Sequence, residues 1–196
     1  KRSAKHAFFI GLAYGFGLWF VGAFWLYTSI HVYGDTNAVL SVLMIAVMAI
    51  VMGLFTAVQT WLYRRFFPET PLTFAPLWVL FEWAKTWVFT GFPWLFAGYA
   101  FTERYLDSYA PLFGVFGVSF VVIVLACAVV EILNRRIFWL VPSAIFLLGA
   151  WGASQLSFVQ PKAEKPLSVS LVQGNIPQDL KWLTEYQVKT LMIYAQ

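Results

Sequence analysis

Five apolar runs decide what this chain can become. They cover residues 7–29, 38–63, 72–90, 109–133 and 137–156, each 19–26 residues long. About 20 apolar residues cross a hydrocarbon core of about 30 Å. Inside lipid the backbone has no water to bond, so each run is expected to be a helix. A soluble domain carries about 25% charged residues; this chain carries 11%, against 61% hydrophobic and 20% aromatic. The predicted fold is a polytopic α-helical membrane bundle of about five transmembrane helices over residues 1–158. Pro76 falls near the start of the third run, where a missing N–H is tolerated.

The cations orient the bundle. Lys1, Arg2 and Lys5 precede the first run, Arg64 and Arg65 close the second, and Arg135 and Arg136 separate the fourth from the fifth. With strict alternation all three clusters share one side, which the positive-inside rule makes the cytoplasm. The opposite loops, "HVYGDTN" and "TERYLD", hold one Arg between them. Residues after about 157 are therefore predicted on the periplasmic side of a bacterial inner membrane. Trp25, Tyr27, Tyr33 and Trp151 at one level and Trp61, Tyr63 and Trp139 at the other read as interfacial belts. The opening "KRSAKHAFF" lacks an initiator Met, and "TLMIYAQ" stops within a helical pattern. Both ends suggest a segment of a longer protein.

The pattern changes at residue 159. "VQPKAEKP" (159–166) is a linker by composition, with two prolines and three charges. Leu167, Val169 and Leu171 then alternate with Ser168 and Ser170, the period of a half-buried strand. Gly174, Asn175 and Pro177 interrupt it, and Gln178 or Asp179 can start a helix carrying Leu180, Leu183, Val188, Leu191 and Ile193. Residues 167–196 are expected to form a β-strand and an α-helix that open a second, water-exposed α/β domain.

Most chemistries are excluded by residue type. The single cysteine, Cys127, rules out a disulfide framework and a Cys-based metal site. It sits in "VVIVLACAVVEIL" with only Glu131 as a titratable neighbour on its helix, and reads as a small buried hydrophobe. His6 and His31 fall on opposite sides of the bilayer and cannot share a metal. Glu131 and Arg135 read as an i,i+4 pair. No cofactor motif occurs, and no basic face suited to nucleic acid. Gly11 and Gly15 make a G-x-x-x-G, read as close helix packing, with a lipid-facing groove as the alternative.

The most unusual stretch is "FEWAKTWVFTGFPWLFAGYAFTERYLD" (81–107). Glu82 and Lys85 lie three apart on one helix face. Charges at that depth cost about 2.5–3.5 kcal/mol each. They either line a polar cavity or pair to hold two helices. Gly91 and Pro93 are expected to end the helix. Phe92, Trp94, Leu95 and Phe96 then form an apolar loop, either an interfacial anchor or a lipid-gripping ledge. Trp182 either packs on the preceding strand or meets a ligand.

Two motifs in this order resemble the bacterial apolipoprotein N-acyltransferases. "FTGFPWLFAGY" (89–99) is similar to that family's membrane-loop signature, and "SLVQGNIPQDLKW" (170–182) to its entry into a nitrilase-type (carbon–nitrogen hydrolase) domain. The resemblance covers essentially the whole chain. It implies an enzyme that takes an acyl chain from a phospholipid donor and holds it as a cysteine thioester. The acyl group then passes to the N-terminal diacylglyceryl-cysteine amine of an apolipoprotein acceptor. It implies a Glu, Lys and Cys triad that no residue here matches, so this segment alone is expected to be inactive. It implies no cofactor, and substrate contacts at Gly91, Phe92, Pro93, Trp94 and Trp182. The competing readings are a transporter or channel subunit with a non-catalytic extracytoplasmic domain, and a structural anchor.

Overall fold

The computed structural model describes residues 3–157, 159, 168–181 and 183–195. The chain divides into two units, Lys1–Phe158 and Val159–Gln196.

The first unit is a helical bundle. Helix α1 (Ala4–Gly22) starts at Ser3, whose Oγ accepts from the His6 N–H at 3.2 Å. Helix α2 (Ala38–Phe66) starts at Asn37, whose Oδ1 accepts from the Val39 N–H at 2.9 Å. Helix α3 (Pro71–Ala84) opens with proline in its first turn, where the absent N–H costs nothing. Helices α4 (Ala110–Leu133) and α5 (Leu140–Ser154) complete the unit. Among the described residues, four helical segments are long and apolar enough to cross a membrane: Ala4–Gly22, Ala38–Phe66, Tyr105–Leu133 and Ile137–Ser154.

The third run departs from the expected helix over 72–90. Helix α3 has 14 residues, which at 1.5 Å per residue reach about 21 Å, short of a 30 Å core. The helix stops because its last carbonyls find other donors. Thr86 Oγ1 donates to Trp83 O at 2.6 Å, and the Phe92 N–H donates to Lys85 O at 2.8 Å. Residues 85–109 continue as turns and short 3₁₀ segments. The first run also ends early, at Gly22. Beyond it the bonds shorten to i−3, as in Leu26 N–H to Ala23 O at 3.0 Å, and a π-helical turn spans Thr28–Tyr33.

Small residues seat α1 on α2. Gly11 and Gly15 face Thr56, Ala57 and Gly53 at backbone distance, and Thr60 Oγ1 donates across the seam to Ala7 O at 2.9 Å. This is the close approach that the G-x-x-x-G predicted. One end of the bundle gathers Tyr63, Thr70, Pro71, Phe74 and Glu131, with Lys5 beside Trp61. Arg64 pairs with Glu69, and Arg136 with Glu131 at 2.8 Å. Glu131 thus takes Arg136 rather than the expected Arg135.

The second unit contains a turn at residues 178–181, a 3₁₀ segment Thr184–Tyr186 and helix α6 (Gln187–Ala195). Among the described residues there is no strand. The expected strand begins at Leu167, outside the described residues; 168–177 have no regular secondary structure. A strand exists only through ladder bonds to a neighbour, and the described residues supply none. Val169 and Leu171 are accordingly 73% and 94% exposed. The expected helix also starts later, at Gln187. Residues 178–181 form a turn instead, with the Leu180 and Lys181 N–H groups both directed to Pro177 O.

Candidate functional site

The segment after α3 is bonded at both ends. Glu82, on the last turn of α3, is 1% exposed. Its Oε1 accepts from Trp78 Nε1–H at 2.8 Å and from the Ala97 N–H at 2.7 Å. Its Oε2 has no partner among the described residues. One carboxylate oxygen therefore ties the far end of the loop to the helix that leads into it. Charge-assisted bonds of this kind contribute about 1.5–3 kcal/mol each. Just beyond, the buried Ser119 Oγ of α4 accepts from the Gly98 N–H at 2.8 Å.

Lys85 caps α3 and is 7% exposed. Its Nζ lies 5.5 Å from the Trp19 ring centroid and 5.3 Å from that of Phe96. Among the described residues it forms no ion pair with Glu82. The two charges have different close partners: N–H donors meet the acid, and ring faces meet the base. The ion-pair reading of this couple is thereby set aside.

Between these ties the backbone is unusual. Phe89, Thr90 and Leu95 have φ of 54°, 72° and 57°, and Gly91 has φ 90°. A Cβ on Gly91 would stand 2.2 Å from Thr86 O, so glycine is required there for space as well as for φ. Side chains divide between the bundle and the surface. Phe92 packs on Trp19 with centroids 5.3 Å apart, Leu95 fills the space over Gly22, and Phe96 is 3% exposed. Pro93 is exposed, and Trp94 is 48% exposed, with centroids 5.3 Å from Trp25 and 5.9 Å from Phe92. A cavity of about 380 Å³ opens beside the loop, lined by Leu26, Met48, Val51, Met52, Phe55, Lys85, Val88, Phe89 and Phe92.

Four of the sequence-predicted site residues, Gly91, Phe92, Pro93 and Trp94, thus come together in this loop. Of these, Phe92 reaches the cavity wall. The fifth, Trp182, lies outside the described residues. Sequence reasoning missed the tie from Glu82 to Ala97 and the bond from Gly98 to Ser119. The one signal was a lone serine within the apolar "GVSFVV".

Comparison with known proteins bears on this arrangement. Residues 1–128 match the family described as the apolipoprotein N-acyltransferase N-terminal domain. The chain belongs to the apolipoprotein N-acyltransferase family. Proteins of that name include one from Nitrosomonas europaea, 37% identical over 100% of this chain and 41% of its own length. Another, from Shewanella oneidensis, is 38% identical over 97% of this chain and 38% of its own length. A third, from Vibrio vulnificus, is 33% identical over 99% and 40%. This chain therefore spans 38–41% of the length of these curated relatives. Most of the bundle, with the Glu82–Ala97 tie and the cavity, falls within the part that matches the acyltransferase N-terminal domain.

Proposed function

We propose that this segment is the membrane-anchoring and lipid-admitting part of an enzyme that moves an acyl chain from a phospholipid to apolipoproteins. The acceptor is the amine of their N-terminal diacylglyceryl-cysteine, and the reaction runs through a thioester. Residues 1–196 supply none of the acyl-transferring groups and are inactive alone. The observation that carries the reading is the tethered apolar loop and the cavity beside it, within a chain of this family. A two-chain lipid must leave the bilayer sideways, between helices. It therefore needs an apolar wall that remains in place while the lipid moves.

In this reading Trp94 is the exposed ledge against which an acyl chain lies, and Phe92 forms the wall behind it. Gly91 and Pro93 shape the turn. Trp182 is a further substrate contact, in residues 167–196, which open a nitrilase-type domain. The ends of the bundle carrying Arg64 and Arg135 face the cytoplasm, and the loop faces the periplasm of a bacterial inner membrane.

The test is Trp94→Ala in the intact protein. Expected is a fall of about tenfold or more in acyl-enzyme formation from phospholipid, about 1.4 kcal/mol, with an unchanged unfolding temperature. Thioester formation and acyl transfer both at wild-type rate refute the ledge.

A further inference from the structure

The cavity beside the loop is apolar except for one group. Its walls are Leu26, Met48, Met52, Phe55, Val88 and Phe92, and the exception is Lys85. Lys85 as a residue is 7% exposed. Among the described residues its ammonium has no hydrogen bond or ion pair, only the faces of Trp19 and Phe96. A ring face is a partial substitute for an anion and satisfies none of the three ammonium N–H donors. Glu82, the nearest acid in sequence, makes no ion pair with it among the described residues, and Glu82 Oε1 is shared between Trp78 and Ala97.

We propose that Lys85 binds the phosphodiester of a phospholipid whose acyl chain occupies this cavity, a role that rests on the lipid-access reading above. A cation on a largely buried residue, beside apolar walls and with unmet donors, calls for an anionic oxygen. The apolar walls exclude a small hydrated anion and admit one that carries a hydrocarbon tail. Depth agrees with a headgroup rather than a chain terminus. Lys85 ends α3 and lies against Trp19, less than one turn from the end of α1 at Gly22. Phe92, on the cavity wall, leads into the Trp94 ledge. The lysine thus sets which lipid is retained, and the loop sets how its chain lies.

The experiment uses the intact protein in non-ionic detergent, with retained lipid counted by native mass spectrometry. The probes are dioleoyl-phosphatidylglycerol and its neutral phosphate methyl ester, which share acyl chains and differ in the anionic charge. Wild type is expected to retain the charged lipid about tenfold or more in preference, about 1.4 kcal/mol. Lys85→Met is expected to abolish that preference, and Lys85→Arg to keep it. Equal retention of the two lipids by wild type overturns the proposal, even if Lys85→Met does not fold, and leaves lipid access intact. Retention of neither lipid overturns both. A preference that survives in folded Lys85→Met, or displacement of the charged lipid by equimolar oleate or inorganic phosphate, overturns the lysine's role.

Discussion

Two glycines on α1 allow the close helix seam to be tested with its own internal control. Gly15→Ala places a Cβ 2.7 Å from Gly53 Cα and 3.0 Å from Gly53 O. Both atoms are backbone, so no rotamer change relieves the contact. Ordinary contact begins at 3.4 Å, so α1 and α2 must separate by 3.4 − 2.7 = 0.7 Å. The same opening stretches the 2.9 Å bond from Thr60 Oγ1 to Ala7 O to 2.9 + 0.7 = 3.6 Å, past the usual limit. Overpacking costs about 1–3 kcal/mol, and an interhelical hydrogen bond in lipid contributes about 0.6 kcal/mol. Together they come to about 1.6–3.6 kcal/mol. Gly17→Ala, half a turn away, meets nothing within 4 Å. Both substitutions gain the same helix propensity, about 1 kcal/mol, so the gap between the variants isolates the seam. The assay is reversible unfolding of the intact protein in mixed micelles, titrated with sodium dodecyl sulfate and followed by circular dichroism. Gly15→Ala should unfold earlier than Gly17→Ala by that gap. Unfolding free energies within about 0.5 kcal/mol of each other, below the expected gap of about 1.6–3.6 kcal/mol, refute the close seam.

The tie from Glu82 separates two substitutions by chemistry. Glu82→Gln keeps an acceptor oxygen for Trp78 and Ala97, whereas Glu82→Leu strands two part-buried donors, at up to about 1–3 kcal/mol each. Limited proteolysis across residues 86–96 should quicken in Glu82→Leu far more than in Glu82→Gln; equal cleavage shows that the carboxylate does not hold the loop. The arrangement of the bundle ends is read by single cysteines on a Cys127→Ala background, labelled with a membrane-impermeant maleimide. Cysteines at Arg65 and Arg135 should react from one face, and at Thr36 and Thr102 from the other. Labelling of Arg65 and Arg135 from opposite faces removes the predicted sidedness.

How much of this was legible in sequence depended on whether the signal was local. The runs at 38–63, 109–133 and 137–156 match α2, α4 and α5 to within a few residues, because length and hydropathy are properties of the run itself. The Gly11–Gly15 spacing pointed to the right face for the same reason. The run at 72–90 misled. Its length suits a span, but it is less apolar than its neighbours, carrying Glu82 and Lys85, and its helix ends near where Thr86 Oγ1 and the Phe92 N–H take up the Trp83 and Lys85 carbonyls. The second of those bonds depends on a turn seven residues away, which hydropathy does not register. The strand expected from 167 shows the opposite limit. Its alternation is a local signal, but a ladder is a property of two segments.

The loop also explains why two charges occupy an apolar helix. Non-helical backbone at membrane depth is tolerated only where protein covers its polar groups. The Ala97 N–H leaves the helical ladder and is covered by Glu82; the Gly98 N–H is covered by Ser119. Seen this way, Glu82 is the cost of having an irregular loop at all, and an isosteric apolar residue cannot replace it. Lys85 has no such obligation to the backbone. Its carbonyl accepts from Phe92, a bond any residue could make, while its ammonium meets only the rings of Trp19 and Phe96 among the described residues. A fold that needs the carboxylate but not the ammonium has located structure at Glu82. The cation three residues on, on a residue that lines the cavity, is then the group left to account for by ligand.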